Sequence, residues 1–297
     1  MAEPVPAPRQ ANDFVLTLSC ADAKGIVHSV SGVLYQAGCN ILDSQQFGDA
    51  DTGLFFMRVH FDAPPHLDGA DKVEWLFADL RQRFGMRTAV HALAQRQRVL
   101  IAVSRQAHCL NDLLFRWRAG QIPMEVVGIV SNHRDCAALA AHYELPYHHL
   151  PLAAGADARS KREQESRIEQ LLQEQRVELL VLARYMQILS PEFCASLEGR
   201  AINIHHSFLP SFKGARPYQQ AHQRGVKLIG ATAHYVTAEL DEGPIIEQDV
   251  QRVGHGLDVA GLTAAGQDVE TQVLARAVRW HVEHRILRNG HKTVVFR

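Results

Sequence analysis

The sequence predicts an α/β protein of two domains, a small ferredoxin-like βαββαβ unit followed by a doubly wound domain. Three observations predict it. A chain of 297 residues is longer than one small core organises. Over residues 13–92, short strand-like runs alternate with two helical patterns in the order βαββαβ. From Val99 onward, continuous apolar runs alternate with amphipathic segments, as in buried parallel strands joined by crossover helices.

Met1 to Asn12 is rich in Pro and Ala, lacks an apolar segment, and reads as a disordered tail rather than a signal peptide. Phe14–Leu18 is a strand-like run. Ile26, Val30, Val33 and Leu34 then recur at helical spacing, and Gly38 stops that helix. Asn40–Phe47 and Leu54–Phe61 read as strands joined by a polar turn at 49–53. Asp71–Phe84 carries Val73, Leu76, Phe77 and Leu80 on one helical face. Arg87–His91 closes the unit, and residues 93–98 read as a linker.

In the second domain, 99–297, Val99–Val103 is the first buried strand. A helix with Leu110, Leu113, Leu114 and Trp117 follows. Val126–Val130 is the next strand, with Ser131 or Asp135 available to cap the helix after it. Tyr147–Leu152 and Leu179–Ala183 read as further strands, separated by the highly charged helix 159–175, whose charge suggests a solvated face. Ala201–His205 and Val226–Val236 are the last strands. A closing helix spans 259–287, with Gly266 as its expected break.

Lys and Arg number 31 against 32 Asp and Glu, so no basic excess marks a nucleic-acid or membrane surface. A small molecule is the expected substrate. No run of about 18 apolar residues is present, so no helical span is expected. The five cysteines form no C-x-x-C pair, which argues for reduced thiols in a cytoplasmic protein.

The chemistry concentrates between Asn203 and Pro244. On a strand, Asn203 and His205 project to one side. An amide donor and an imidazole there can act on one carbonyl. Asn203 can donate to a developing oxyanion, and His205 can donate to it or move a proton. His234 ends another strand. Asp241 precedes Gly243-Pro244, a sharp turn able to fold its carboxylate back toward the strand ends. There it would accept a proton or orient the imidazole.

Asn203-Ile-His-His-Ser-Phe-Leu-Pro-Ser-Phe-Lys-Gly214, Gly230-Ala-Thr-Ala-His-Tyr-Val236 and Leu240-Asp-Glu-Gly-Pro-Ile-Ile246 together resemble the folate-dependent formyltransferase family, over roughly residues 99–297. That family includes glycinamide ribonucleotide transformylase and methionyl-tRNA formyltransferase. The resemblance implies a Rossmann-like formyltransferase domain with Asn203, His205 and Asp241 as catalytic residues. His206 and His234 would support them. Leu182-Ala-Arg-Tyr-Met-Gln-Ile-Leu-Ser-Pro191 is similar to the family's folate-pocket loop, which implies folate contacts at Met186, Ile188 and Leu189. Gly243 is a further folate position by the same resemblance. The βαββαβ unit and its Asp22-x-Lys-Gly-Ile26 loop resemble an ACT-type regulatory domain. That implies a small amino-acid effector near Asp22, Gly25, Ile26 and Asn40, and a homo-dimer or homo-tetramer formed through the N-terminal sheets.

Two departures distinguish the chain from the transferases of purine synthesis. Those carry a glycine-rich loop after the first strand, where backbone amides hold the acceptor's phosphate. Here the stretch is Ser104-Arg-Gln-Ala-His-Cys109. His206 stands where the transferases usually have Pro. Both, with the N-terminal unit, imply a hydrolytic branch in which water replaces the amine and 10-formyltetrahydrofolate yields formate and tetrahydrofolate. Folate is then a substrate, and no metal or redox cofactor is expected. Such a reaction would control the one-carbon pool and supply formate for purine synthesis. The rivals are a transferase to an unidentified amine, and a folate- or amino-acid-binding regulator with a retired site.

Overall fold

The computed structural model describes residues 12–153, 155–209 and 217–297. The expected tail therefore lies, but for Asn12, outside the described residues. The chain divides into two compact units, the first comprising 1–96, 283–289 and 294–297, the second 97–282 and 290–293.

The first unit runs β1 (Asp13–Ala21), α1 (Ile26–Gln36), β2 (Asn40–Asp49), β3 (Leu54–Asp62), α2 (Ala70–Trp75), α3 (Ala78–Phe84) and β4 (Arg87–Ala92). Its antiparallel sheet has the order β2-β3-β1-β4, the ferredoxin-like arrangement expected. Alternation along the strands gives two faces. Phe14, Leu16 and Leu18 of β1 and Met57, Val59 and Phe61 of β3 bury against Ile26, Val30 and Leu34 of α1 and Val73, Phe77 and Leu80 of α2 and α3. The opposite face carries Phe56, packed with Leu287 and Phe296. Arg58 is also on that face. It donates through Nε to His284 O at 3.1 Å and through Nη2 to Glu283 O at 3.1 Å.

Two expectations change in this unit. The helix expected over 71–84 breaks at Leu76–Phe77. The break leaves Val73, Phe77 and Leu80 buried while Trp75 is exposed. The expected second domain, 99–297, also loses its end. Residues 283–289 and 294–297 join the N-terminal unit, because its sheet has a second apolar face to bury.

The second unit contains β5 (Gln97–Val103), α4 (His108–Arg118), β6 (Met124–Ser131), α5 (Ala137–His142), β7 (Tyr147–His149), α6 (Ala158–Glu174), β8 (Leu179–Leu182), α7 (Pro191–Ser196), β9 (Ala201–His205), α8 (Pro217–Arg224), β10 (Leu228–Tyr235), β11 (Ile245–Arg252) and α9 (Val259–Val282). Short strands β12 (Ile286–Asn289) and β13 (Lys292–Val295) end the chain. The seven-stranded sheet has the order β11-β10-β9-β8-β5-β6-β7. The run β7-β6-β5-β8-β9 is parallel throughout, as the apolar runs predict, but β10 is antiparallel to both β9 and β11. The sheet is thus mixed rather than wholly parallel.

Strand β5 begins inside the expected linker. Strand β7 stops at His149 instead of reaching Leu152, and Pro151, which has no N–H to donate, lies just beyond. Neither Ser131 nor Asp135 caps α5, whose N-cap is Cys136 without a side-chain bond. Ser131 Oγ instead accepts from His133 N at 3.1 Å and donates to Ser104 O at 3.3 Å. Helix α9 is continuous through Gly266 and ends at Val282. Gly266 is needed for packing: a Cβ there would stand 2.1 Å from the Tyr218 hydroxyl. Helix α6 is not simply a solvated face, since Gln164 and Glu165 are buried.

Candidate active site

Strands β9 and β10 place the polar residues. In their antiparallel register Asn203 lies opposite His234, and Thr232 opposite His205. Two-residue alternation then puts Asn203, His205 and His234 on one face. The chain turns after β10 and returns over its end. Tyr235 N donates to Pro244 O at 3.0 Å, and Glu242 N to Glu239 O at 3.3 Å. Asp241 sits in this turn with φ 58°, a left-handed conformation costing a non-glycine residue about 1 kcal/mol.

The turn brings the Asp241 carboxylate to both imidazoles. His205 Nδ1 lies 3.2 Å from Oδ2, and His234 Nε2 lies 3.7 Å from Oδ1. Burial alone would raise the Asp241 carboxyl. The imidazoles of His205 and His234 beside it overcome this and hold it well below the usual carboxylate range. His234 Nδ1 donates to Tyr235 O at 2.9 Å, so its Nε2 edge faces Asn203 Nδ2 at 3.3 Å. His205 is buried, and its Nε2 has no hydrogen-bond partner among the described residues.

Gly243 does not line the cavity beside this cluster. A Cβ at Gly243 would lie 1.7 Å from Tyr235 O and 3.2 Å from His234 Nδ1. The glycine has a positioning duty in the turn. Only glycine lets the returning turn pass over the carbonyl that orients His234.

The cavity has a volume of about 710 Å³ and is lined by Asn203, His205, His206, His234 and Asp241, with Met186, Ile188 and Leu189 on a second wall. Met186 and Ile188 are 57% and 66% exposed, an apolar surface held open on a rigid loop. Three anchors fix that loop. Met186 N donates to Ser104 Oγ at 2.9 Å, Tyr185 Oη to Gln164 Oε1 at 3.2 Å, and Ser190 N to Glu165 Oε1 at 2.7 Å.

Sequence reasoning missed the third wall. Glu270, fully buried on α9, accepts from His108 Nε2 at 2.7 Å and from Tyr218 Oη at 2.6 Å, and its Oε2 is 3.4 Å from Arg184 Nε. Arg184 Nε also donates to Gln106 Oε1 at 3.0 Å. Burial would raise the Glu270 carboxyl, but His108, Arg184 and Tyr218 hold it low. His206 bridges the two clusters, with ring centroids 5.0 Å from His205 and 6.4 Å from Tyr218. Burial and the Arg184 and His205 charges lower its pKa to about 4, so it is neutral near pH 7. These residues come from loops and helices scattered over 106–270 and form no sequence motif. The one available signal was an arginine following a buried apolar strand.

His108, Cys109 and Glu270 offer three donor atoms within 4.8 Å of one another. Arg184 and Tyr218 already share the carboxylate, and burial pushes the Cys109 thiol well up. The group is an ion-paired cluster and does not suit a cation.

The expected effector residues do not converge within the chain. Asp22, Gly25 and Ile26 follow the end of β1, beside Gly48 near the end of β2. Asn40 begins β2 and pairs with Asp62, at the sheet's opposite end. The parallel course of β1 and β2, both antiparallel to β3, separates them by a strand's length.

A family model described as "Formyl transferase" matches residues 97–278, and one described as "ACT domain" matches residues 12–91. The formyltetrahydrofolate deformylase of Corynebacterium sp. is 46% identical, over 95% of this chain and 98% of the relative. That of Bacillus subtilis is 43% identical, over 95% and 93%. The crystal structure of formyltetrahydrofolate deformylase from Burkholderia mallei is 51% identical, with a TM-score of 0.90 over 96% of this chain and 100% of that one. Glycinamide ribonucleotide transformylase 1 from Symbiobacterium toebii is 29% identical, with a TM-score of 0.63 over 68% of this chain and 95% of that one.

Proposed function

The chain belongs to the formyltetrahydrofolate deformylase family, and from that premise we propose how its residues divide the work. The reaction is hydrolysis of 10-formyltetrahydrofolate to formate and tetrahydrofolate. The observation that carries the mechanism is the 3.2 Å contact between His205 Nδ1 and Asp241, with His205 Nε2 left without a partner among the described residues. That contact puts the Nδ1 proton on the Asp241 side and leaves the Nε2 lone pair for chemistry.

The folate rests its ring system on Met186, Ile188 and Leu189, and its formyl carbon meets Asn203, His205 and Asp241. His205 Nε2 removes a proton from water as the water oxygen bonds to the carbon. Ionised Asp241 stabilises the imidazolium that forms. One Asn203 amide hydrogen is directed at His234, and the other donates to the tetrahedral oxyanion. The carbon–nitrogen bond then breaks, His205 returns its proton to the departing nitrogen, and formate leaves. His234 Nε2 accepts from Asn203 and holds it in position, and neutral His206 shapes the floor between the clusters. An N-formyl carbon is already electrophilic, so this reading assigns no metal or redox cofactor a role.

The five free thiols are in keeping with a cytoplasmic enzyme that controls the one-carbon pool and supplies formate for purine synthesis. No helix among the described residues is long and apolar enough to cross a membrane. The ACT match supports regulation by a small amino acid at the Asp22–Ile26 loop, in an oligomer paired through N-terminal sheets. The opposed positions of that loop and Asn40 are compatible with a site completed by a second subunit.

Formate release from 10-formyltetrahydrofolate in amine-free buffer tests the reaction. Formate and tetrahydrofolate should appear one to one. Turnover only after an amine is added would replace hydrolysis with transfer, and tight folate binding without turnover would favour a retired site.

A further inference from the structure

Arg184 is an anomaly at the ligand-facing edge of the sheet. It follows β8 with φ 63°, a conformation glycine adopts freely and arginine does not. Its side chain is only 7% exposed. Replacing such a buried ion pair by apolar residues is often neutral or stabilising, so stability alone does not account for it. Nε contacts Gln106 and Glu270, whereas Nη1 is buried and has no hydrogen-bond partner among the described residues. Strained backbone and an unused donor, both beside a reactive centre, mark a functional duty.

The walls of the cavity indicate which duty. Met186, Ile188 and Leu189 make the apolar wall that suits a pterin. A nucleophile must approach the formyl carbon from another direction. Arg184, Gln106, Tyr218 and Glu270 line the cavity there, and they hold one another. Glu270 cannot serve as a base for an incoming amine, because His108, Tyr218 and Arg184 already occupy its oxygens.

We propose that Arg184 makes the site select water over amines, by filling the acceptor side of the cavity and presenting Nη1 as the donor that holds the nucleophile. This rests on the hydrolytic reading above. Water has two lone pairs, so it can accept from Nη1 with one and attack with the other. A neutral amine has a single lone pair, and binding Nη1 consumes it. An ammonium offers only donors to a donor. In the water reaction the oxygen bonds to carbon, the water proton goes to His205, and the carbon–nitrogen bond breaks with protonation of nitrogen. With Arg184 removed, an amine can enter, bond through nitrogen and lose its proton to the same imidazole; the formyl carbon's bond to the folate nitrogen then breaks, that nitrogen takes the proton, and the amine leaves as the formamide.

The test uses the full-length enzyme, 10-formyltetrahydrofolate and trifluoroethylamine, a weakly basic amine with one nitrogen lone pair, with formate and the trifluoroethyl formamide measured together. Arg184→Gly suits the backbone at φ 63°, and adding Glu270→Gln removes the carboxylate it would strand. The wild type should form formate with no enzymatic formamide. In Arg184→Gly, or in the double variant, the ratio of formamide to formate should rise by about tenfold or more, while Arg184→Lys, which keeps a cationic donor, should hold the wild-type ratio. Substantial formamide from the wild type would overturn the proposal even if both glycine variants failed to fold. An unchanged ratio in a folded variant would overturn it while leaving hydrolysis intact. A wild type that released no formate without the amine would overturn the hydrolytic reading and this inference with it.

Discussion

Two polar clusters line one cavity, and they are built in opposite ways. Around Asp241, a half-buried carboxylate on a strained turn meets two imidazoles borne by adjacent strands. Around Glu270, a fully buried carboxylate on a long helix is saturated by a histidine, a tyrosine and an arginine. Each carboxyl is depressed by its partners against the effect of burial. The first cluster leaves His205 Nε2 unused, which suits a group that must exchange a proton. In the second, Glu270 is held on both oxygens, and Arg184 Nη1 is left without a partner among the described residues. Similar residue types thus give a reactive centre in one place and a rigid wall in the other, according to which atom lacks a partner.

This contrast predicts that the clusters fail differently. The largest expected effect is on stability at the wall. Glu270→Ala strips a buried guanidinium of its partner, and such breaks cost about 3–5 kcal/mol. The midpoint of urea denaturation should fall accordingly. A variant as stable as wild type would mean that the wall is not held by this carboxylate.

A smaller effect concerns His206, which lies between the clusters. Its folded pKa of about 4 lies below the ordinary value of 6.5, so the unfolded chain takes up the proton first as pH falls. Stability is therefore full above the ordinary value and is lost as pH drops toward about 4. The loss from this residue should reach roughly 1–2 kcal/mol at pH 5. His91, stacked on His284 at 3.5 Å and lowered to about 4 by burial and Arg58, adds the same trend in the first unit. His206→Gln should flatten, without abolishing, the acid slope measured by denaturation at pH 5 and 7.5. An unchanged slope would show that His206 is accessible to protons in the fold.

The same contrast explains what the sequence disclosed. Asn203, His205, His234 and Asp241 fall within forty residues because two neighbouring strands and one turn carry them, so alternation and the Gly-Pro turn suffice to group them. Gln106 and His108, Arg184, Tyr218 and Glu270 belong to four separate segments, joined only by tertiary packing. Gly266 illustrates the limit. In sequence a mid-helix glycine reads as a break, but here it makes room for the Tyr218 ring that reaches Glu270. The βαββαβ order was legible from local period. The antiparallel course of β10 was not, because an apolar run buried on both faces does not reveal its direction. Likewise, nothing in the terminal residues announces that Leu287 and Phe296 cover a sheet face in the first unit.

Asp241 is the group that sets the His205 tautomer for proton removal. Asp241→Asn retains the shape but not the charge. Its rate of formate release from 10-formyltetrahydrofolate, without amine, should fall by roughly 10²–10⁴-fold, while its denaturation midpoint stays close to wild type. A variant hydrolysing at near the wild-type rate would contradict the account.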